Sequence, residues 1–237
     1  MKRKALMIVI ISSSLLIFTG IVLFIIGNHS KKSNEYEKID TEISYLDIQI
    51  EEILDLYQNY YSESNNVINW EEIKLKISIL YNSWNSIILD ISRLNISSED
   101  LTSFGKKLDS IMLNVQNRDV NQSMKDITDL YGILVNYLEV YSTNDLQKSK
   151  YQTKYYLMQS YQALGSNNWT LINDDLNKAI SVFYSIISSE TIIKQNTIYQ
   201  INQAYISINE LKNSILVKDK DLFYLKYRIA MNQLQDI

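Results

Sequence analysis

A single histidine, His29, supplies all the imidazole in this 237-residue chain, and there is no cysteine. Schemes that use histidine as a general base, to activate a nucleophile or to hold zinc therefore rest on one residue, placed beside an apolar run. Disulfides, thiolate metal sites, a cysteine nucleophile and a lipid-modified cysteine are excluded by composition. The di-iron sites of helical bundles need Glu-x-x-His twice, and the chain has none. Carboxylates do occur in adjacent pairs, at Glu51–Glu52, Glu71–Glu72 and Asp174–Asp175. Neighbours on a helix diverge by about 100°, which suits solvated faces and first-turn charges better than a matched acid and base. No Gly-rich phosphate loop is present. Four Asn-x-Ser/Thr triplets, starting at Asn28, Asn95, Asn121 and Asn168, match the glycosylation acceptor pattern at the frequency expected by chance in a chain so rich in Asn and Ser. The expectation is a protein that is not an enzyme, with no catalytic, cofactor-binding or metal-binding residue and no cofactor.

What carries the chain's organisation is instead residues 5–27, which hold no charge and no proline and follow Lys2, Arg3 and Lys4 directly. At about 1.5 Å per helical residue they reach roughly 34 Å, enough to cross a hydrocarbon core of about 30 Å with some tilt. A cleaved secretory signal has an apolar region of only about 7–15 residues and a small-residue cleavage site, and neither fits here. An uncleaved anchor in the lipid bilayer is expected, with Ser12, Ser13, Ser14, Thr19 and Gly20 satisfied within their own helix. The dense basic cluster favours a cytoplasmic N-terminus and an extracytoplasmic body, although Lys31, Lys32 and Lys38 on the other flank nearly balance it.

Three of the 23 basic residues precede the span, so 20 face the 27 acidic ones beyond it. That acidic balance disfavours nucleic acid as a partner. Proline is absent, and only Gly105, Gly132 and Gly165 follow the span, a punctuation too sparse for a β-rich fold. An all-α class is expected, with about eight antiparallel helices after the transmembrane helix, as stacked hairpins or two consecutive bundles.

The apolar stripes place those helices. After a polar linker at 28–35, Ile39, Ile43, Leu46, Ile50, Ile53, Tyr57 and Tyr60 mark a first helix over about 37–62. Asn69 caps a second, with Glu72 closing a capping box and a stripe of Trp70, Ile73, Ile77, Leu80, Trp84, Ile87 and Ile91. Trp70 and Trp84 lie about four turns apart and read as core anchors rather than a ligand platform. Ser97 opens a third helix striped by Leu101, Phe104, Leu108, Ile111 and Val115. A fourth carries Val120, Met124, Ile127, Tyr131, Leu134, Leu138 and Tyr141. The fifth runs from about Leu146 to Leu164, where Gly165 is placed to take the left-handed cap. Asn168–Trp169 begins the sixth, Thr191 the seventh and Lys218–Asp219 the eighth, which carries Tyr224, Tyr227, Met231 and Leu234.

The halves look duplicated. At an offset of 99, Asn69–Trp70 falls on Asn168–Trp169, Ile73 on Ile172, Ile77 on Leu176 and Trp84 on Phe183; at 100, Arg118–Asp119 falls on Lys218–Asp219. A half-period of 50 brings Leu80–Tyr81 onto Leu130–Tyr131. The expected organisation is a basic tip and anchor (1–27), a juxtamembrane linker (28–35) and two helical repeat units (36–142 and 143–237), each of two hairpins. A basic start, one membrane helix, and then a helix bearing Trp70 and Trp84 followed by a helix pair resembles an uncharacterised family of small single-anchor helical membrane proteins of low-GC Gram-positive bacteria. The resemblance covers about residues 1–142, with 145–237 as a second occurrence in which Phe183 replaces the later tryptophan. It implies the anchor and the helical fold and supplies no site.

The functional expectation is a membrane-anchored, non-catalytic interaction or scaffold module at the cell envelope with a protein partner. The alternatives are an extracytoplasmic ligand-binding or sensor bundle, and a spectrin-like regulator facing the cytoplasm. Tyr57, Tyr60, Tyr61, Tyr155, Tyr156 and Tyr161 are candidates for a contact face, though tyrosine at helix edges more often packs.

Overall fold

In a computed structural model, the chain is described over residues 36–57, 68–94, 96–142, 144–188 and 195–237. Eight α-helices and no strand occur among the described residues, as the stripes require: α1 (36–55), α2 (Trp70–Ile91), α3 (Ser98–Gln116), α4 (Val120–Tyr141), α5 (Asp145–Gln162), α6 (Trp169–Ser188), α7 (Gln195–Ser214) and α8 (Lys220–Gln235). None of these helices is long and apolar enough to cross a membrane; the apolar run at 5–27 lies outside the described residues, as do His29, Tyr60 and Tyr61.

The chain divides into two compact units, 1–44 and 45–237. Of the first, the opening turns of α1 are described, where Lys38 pairs with Glu42 at 3.5 Å. The second spans parts of both expected repeat units. Within it each helix from α2 onward lies against the next in the chain, and α5 also touches α8. Short turns between packed neighbours give an antiparallel run.

Local chemistry explains where each helix begins. The side chains of Asn69, Ser97, Asp119, Asn144, Asn168 and Asp219 each accept from the backbone N–H three residues on, satisfying one of the donors a helix start leaves open. Glu72 departs slightly from the expected box: its carboxylate accepts from the Asn69 side-chain amide at 3.1 Å. The cap expected at Gly165 is displaced. After Gln162 the chain tightens into a 3₁₀ turn, Ala163–Ser166, which carries Gly165 along, and Asn167 adopts the left-handed conformation (φ 52°) instead. Asparagine tolerates that region better than other residues with a Cβ, so glycine is not required.

The stripes form the core. Ile73, Ile77, Leu80, Trp84, Ile87 and Ile91 of α2 are buried, as are Leu101, Phe104, Leu108, Ile111 and Val115 of α3. Trp84 stacks on Phe104 with ring centroids 4.1 Å apart and lies 6.0 Å from Tyr137, whose hydroxyl donates to the Asp100 carbonyl at 2.8 Å. Trp70 is only half-buried and meets Tyr57 edge-on at 6.1 Å. Trp169 repeats that arrangement on Phe223 at 6.4 Å, and Phe183 is buried like Trp84. The aligned turns also match: Arg118 and Lys218 both have positive φ (55° and 57°), and each precedes a capping aspartate.

Candidate functional site: a buried lysine between two carboxylates

The adjacent carboxylates do diverge. Glu52 points outward to Lys76 at 2.5 Å, Glu71 is exposed and pairs with Lys74, and Asp174 is exposed. Glu51 and Asp175 break the expectation of solvated faces, for both turn inward. Asp175 is 3% exposed and meets Lys178 at 2.9 Å.

Glu51 belongs to a cluster assembled from four helices. On α1, Asp47, Glu51 and Asp55 recur every fourth residue and so share one face. Lys154 enters from α5 with a side chain that is 0% exposed. Its Nζ donates to Asp47 Oδ2 at 2.8 Å, to Glu51 Oε1 at 2.5 Å and to the Gln235 side-chain carbonyl of α8. Tyr131 of α4 donates its hydroxyl to the other Asp47 oxygen at 2.7 Å. The Tyr131 ring stacks on Tyr151, over which the Lys154 ammonium sits 5.7 Å from the centroid. Further along, Arg228 of α8 pairs with Asp55, and Lys150 donates to the Gln235 backbone carbonyl at 3.3 Å.

Electrostatics here follow from dryness. Burial, reinforced by the nearby Asp47 charge and opposed by the Lys154 ammonium, pushes the Glu51 carboxyl up to about 8. Burial opposes the Lys154 charge, but the Asp47 and Glu51 carboxyls outweigh it and hold the amine above its usual range. At Lys150 the balance reverses: burial, then repulsion by Lys154, outweigh the pull of Asp47, Glu51 and Asp236 and bring it down to about 8. Tyr131 is held well above the ordinary phenol range by burial and by Asp47.

A second buried charge, Asp126 of α4, has a 2% exposed side chain and accepts from Ser110 at 2.5 Å, Asn114 at 2.7 Å, Lys107 at 3.0 Å and Gln122 at 3.1 Å. Burial works to raise its pKa, and these donors win and lower it.

The six candidate tyrosines do not make one face. Tyr57 is buried in the core, and so is Tyr161, which stacks on Tyr227 at 4.8 Å. Tyr155 and Tyr156 are half-buried and line a groove of about 230 Å³ between α4 and α5, with Asp129, Gly132, Asn136 and Gln152. A Cβ at Gly132 would stand 3.0 Å from the Tyr155 ring, which would have to give by a few tenths of an ångström. No group of three or more His, Cys, Asp or Glu side chains among the described residues is placed to hold a metal ion.

Sequence reasoning missed Lys154, Asp47, Tyr131 and Gln235 as members of one site. A signal existed for the first. Tyr151, Lys154, Met158 and Tyr161 form a stripe at helical spacing, so Lys154 occupies a position otherwise taken by core residues.

No known family, curated protein or solved structure matches the chain. Function must come from the geometry alone.

Proposed function

We propose that this chain is a membrane-anchored, non-catalytic helical protein that acts as an interaction or scaffold module at the cell envelope. The observation that carries this is the outer side of the α7–α8 hairpin. Lys226 pairs with Glu210 at 2.5 Å across the two helices. Ile206, Leu225 and Ile229 are exposed, and the turn adds Leu216 (82%) and Val217 (65%). A cluster of apolar side chains on a protein this acidic is what a protein partner covers. The charged groups that are buried, by contrast, are engaged with one another.

The lipid bilayer is the second partner, through residues 5–27, and the body is extracytoplasmic in this reading. Placement is tested with Ser166→Cys, which puts the chain's one thiol in an exposed turn. A membrane-impermeant maleimide labels it in intact cells under this proposal; labelling only after lysis moves the body to the cytoplasm and favours the spectrin-like regulator. The interaction itself is tested by a photocrosslinking side chain at Leu225. A discrete adduct that Ile206→Asp and Ile229→Asp abolish supports the proposal, and no adduct above that at exposed Asn121 sinks it.

The Tyr155–Tyr156 groove favours a second reading, a ligand-binding bundle. A small molecule that raises Tm in the parent but not in Gly132→Leu, which fills the groove, would establish it.

A further inference from the structure

Lys154 and Asp47 meet as amine and carboxyl in a site closed to water, with another acid and a phenol arranged around them. We propose that these two side chains condense to an intramolecular isopeptide bond, a covalent staple between α1 and α5 that the protein forms by itself.

The geometry assigns each neighbour a part. Nζ lies 2.8 Å from Asp47 Oδ2, so the attacking nitrogen is already held against the carboxyl group whose carbon it must reach. Gln235 accepts from Nζ and aims it. Tyr131 donates to Oδ1, the oxygen that becomes an oxyanion when the nitrogen adds. Glu51 touches Nζ at 2.5 Å and shares a hydrogen bond with the Asp47 carboxyl, so it reaches both the atom that loses a proton and the oxygen that must gain one. The two reacting side chains are 0% and 1% exposed, while Glu51 at 21% gives the expelled water a way out.

The step balances without a co-reactant. A proton passes from the Lys154 ammonium to the Asp47 carboxylate, giving a neutral amine beside a neutral acid, the form from which addition starts. Nζ adds to Cγ. Glu51 protonates the departing Oδ2 hydroxyl and receives a proton from the nitrogen, ending as it began. One C–N bond forms, one C–O bond breaks and one water leaves. The ammonium and carboxylate become a neutral amide. The Lys107–Asp126 pair lacks this arrangement, because Lys107 is 25% exposed, the second acid on its amine, Asp129, is 35% exposed, and the other groups on Asp126 are hydrogen-bond donors.

The bond closes a loop of 107 residues and ties the helix that follows the anchor to the body, which suits a scaffold bearing load at the envelope. It is tested by intact-mass spectrometry of the full-length chain extracted from membranes. The expected mass is one water, about 18 Da, below the sequence mass, with a branched tryptic peptide joining Asp47 to Lys154. Lys154→Arg returns the full sequence mass. Glu51→Gln, checked for retained helicity by circular dichroism, accumulates the unlinked chain. A parent protein at full sequence mass overturns the proposal, and so does a branch at Glu51 or Lys150. Complete linkage in Glu51→Gln overturns the proton-transfer role.

Discussion

Asp126 and Lys154 are both charges withdrawn from water, and the molecule accommodates them in opposite ways. Asp126 is satisfied by near neighbours in the chain: its four donors lie 4 to 19 residues away, all on α3 and α4. Three of them are uncharged, so losing Lys107 leaves most of its hydrogen bonds in place. Lys154 draws its acceptors from positions 81 to 107 residues away, on α1 and α8. It is the common member of its cluster, and without it Asp47 keeps no cation among the groups named, only Tyr131 and the neighbouring Glu51. One buried charge secures a hairpin; the other secures the packing of α1 against α5 and α8.

The largest expected effect breaks that contrast at its centre. Lys154→Met strands Asp47 in the interior and costs about 3–5 kcal/mol, read from urea unfolding of the full chain in detergent. A covalent Asp47–Lys154 bond adds to this loss, since the variant also forfeits loop closure. A cost below about 1 kcal/mol would show that water enters the site freely.

Next in size is the other side of the comparison. Asp126→Asn retains the shape and some hydrogen bonds but loses the charge its donors converge on, at a cost of about 1.5–3 kcal/mol by the same measurement. A cost exceeding that of Lys154→Met would reverse the ranking.

A combined Asp47→Leu, Glu51→Gln and Lys154→Met variant sharpens the distinction between pairing and packing. With no stranded charge it recovers at least half of the Lys154→Met loss. A combined variant as unstable as Lys154→Met would show that the ion pairs themselves stabilise the fold.

A further effect, spread over several pH units, is in pH dependence. Glu51 titrates near 8 in the folded protein against an ordinary value of 4.5, so its protonated form is the one folding favours. That contribution is complete below about pH 4.5 and is lost as pH rises through 8, giving a downward slope of stability of at most about 1.4 kcal/mol per unit. Lys150 acts in the opposite sense above pH 8, because its folded value of about 8 lies below 10.5 and the unfolded chain holds the extra proton. Glu51→Gln flattens the slope between pH 5 and 8; an unchanged slope would place its origin elsewhere.

How far the sequence revealed this depends on distance along the chain. The stripes of α2, α3 and α4, the caps at Asn69 and Ser97 and the helix starts at Asn168 and Asp219 were legible, because each depends on residues within a few turns. The Asp119 and Asp219 turns even share a backbone conformation at positions aligned by sequence alone. Gly165 misled because a 3₁₀ turn moved the left-handed residue two places on, a choice decided by how α5 and α6 dock. Phe223 is buried although the eighth stripe began at Tyr224, a slip of one position on a short helix. The Lys154 cluster could not be assembled from sequence, since it requires the register of four helices to be known together. What could be read was one anomaly, a lysine in the α5 stripe.

The measurement that bears most directly on this account is a pair of double-mutant cycles, one on Asp47 and Lys154 and one on Lys107 and Asp126, by equilibrium unfolding of the full chain. The expected coupling is about 2–3 kcal/mol for Asp47 and Lys154, and under about 1 kcal/mol for Lys107 and Asp126. Equal couplings, or the larger one at Asp126, would contradict the claim that Lys154 holds the distant parts of the chain together.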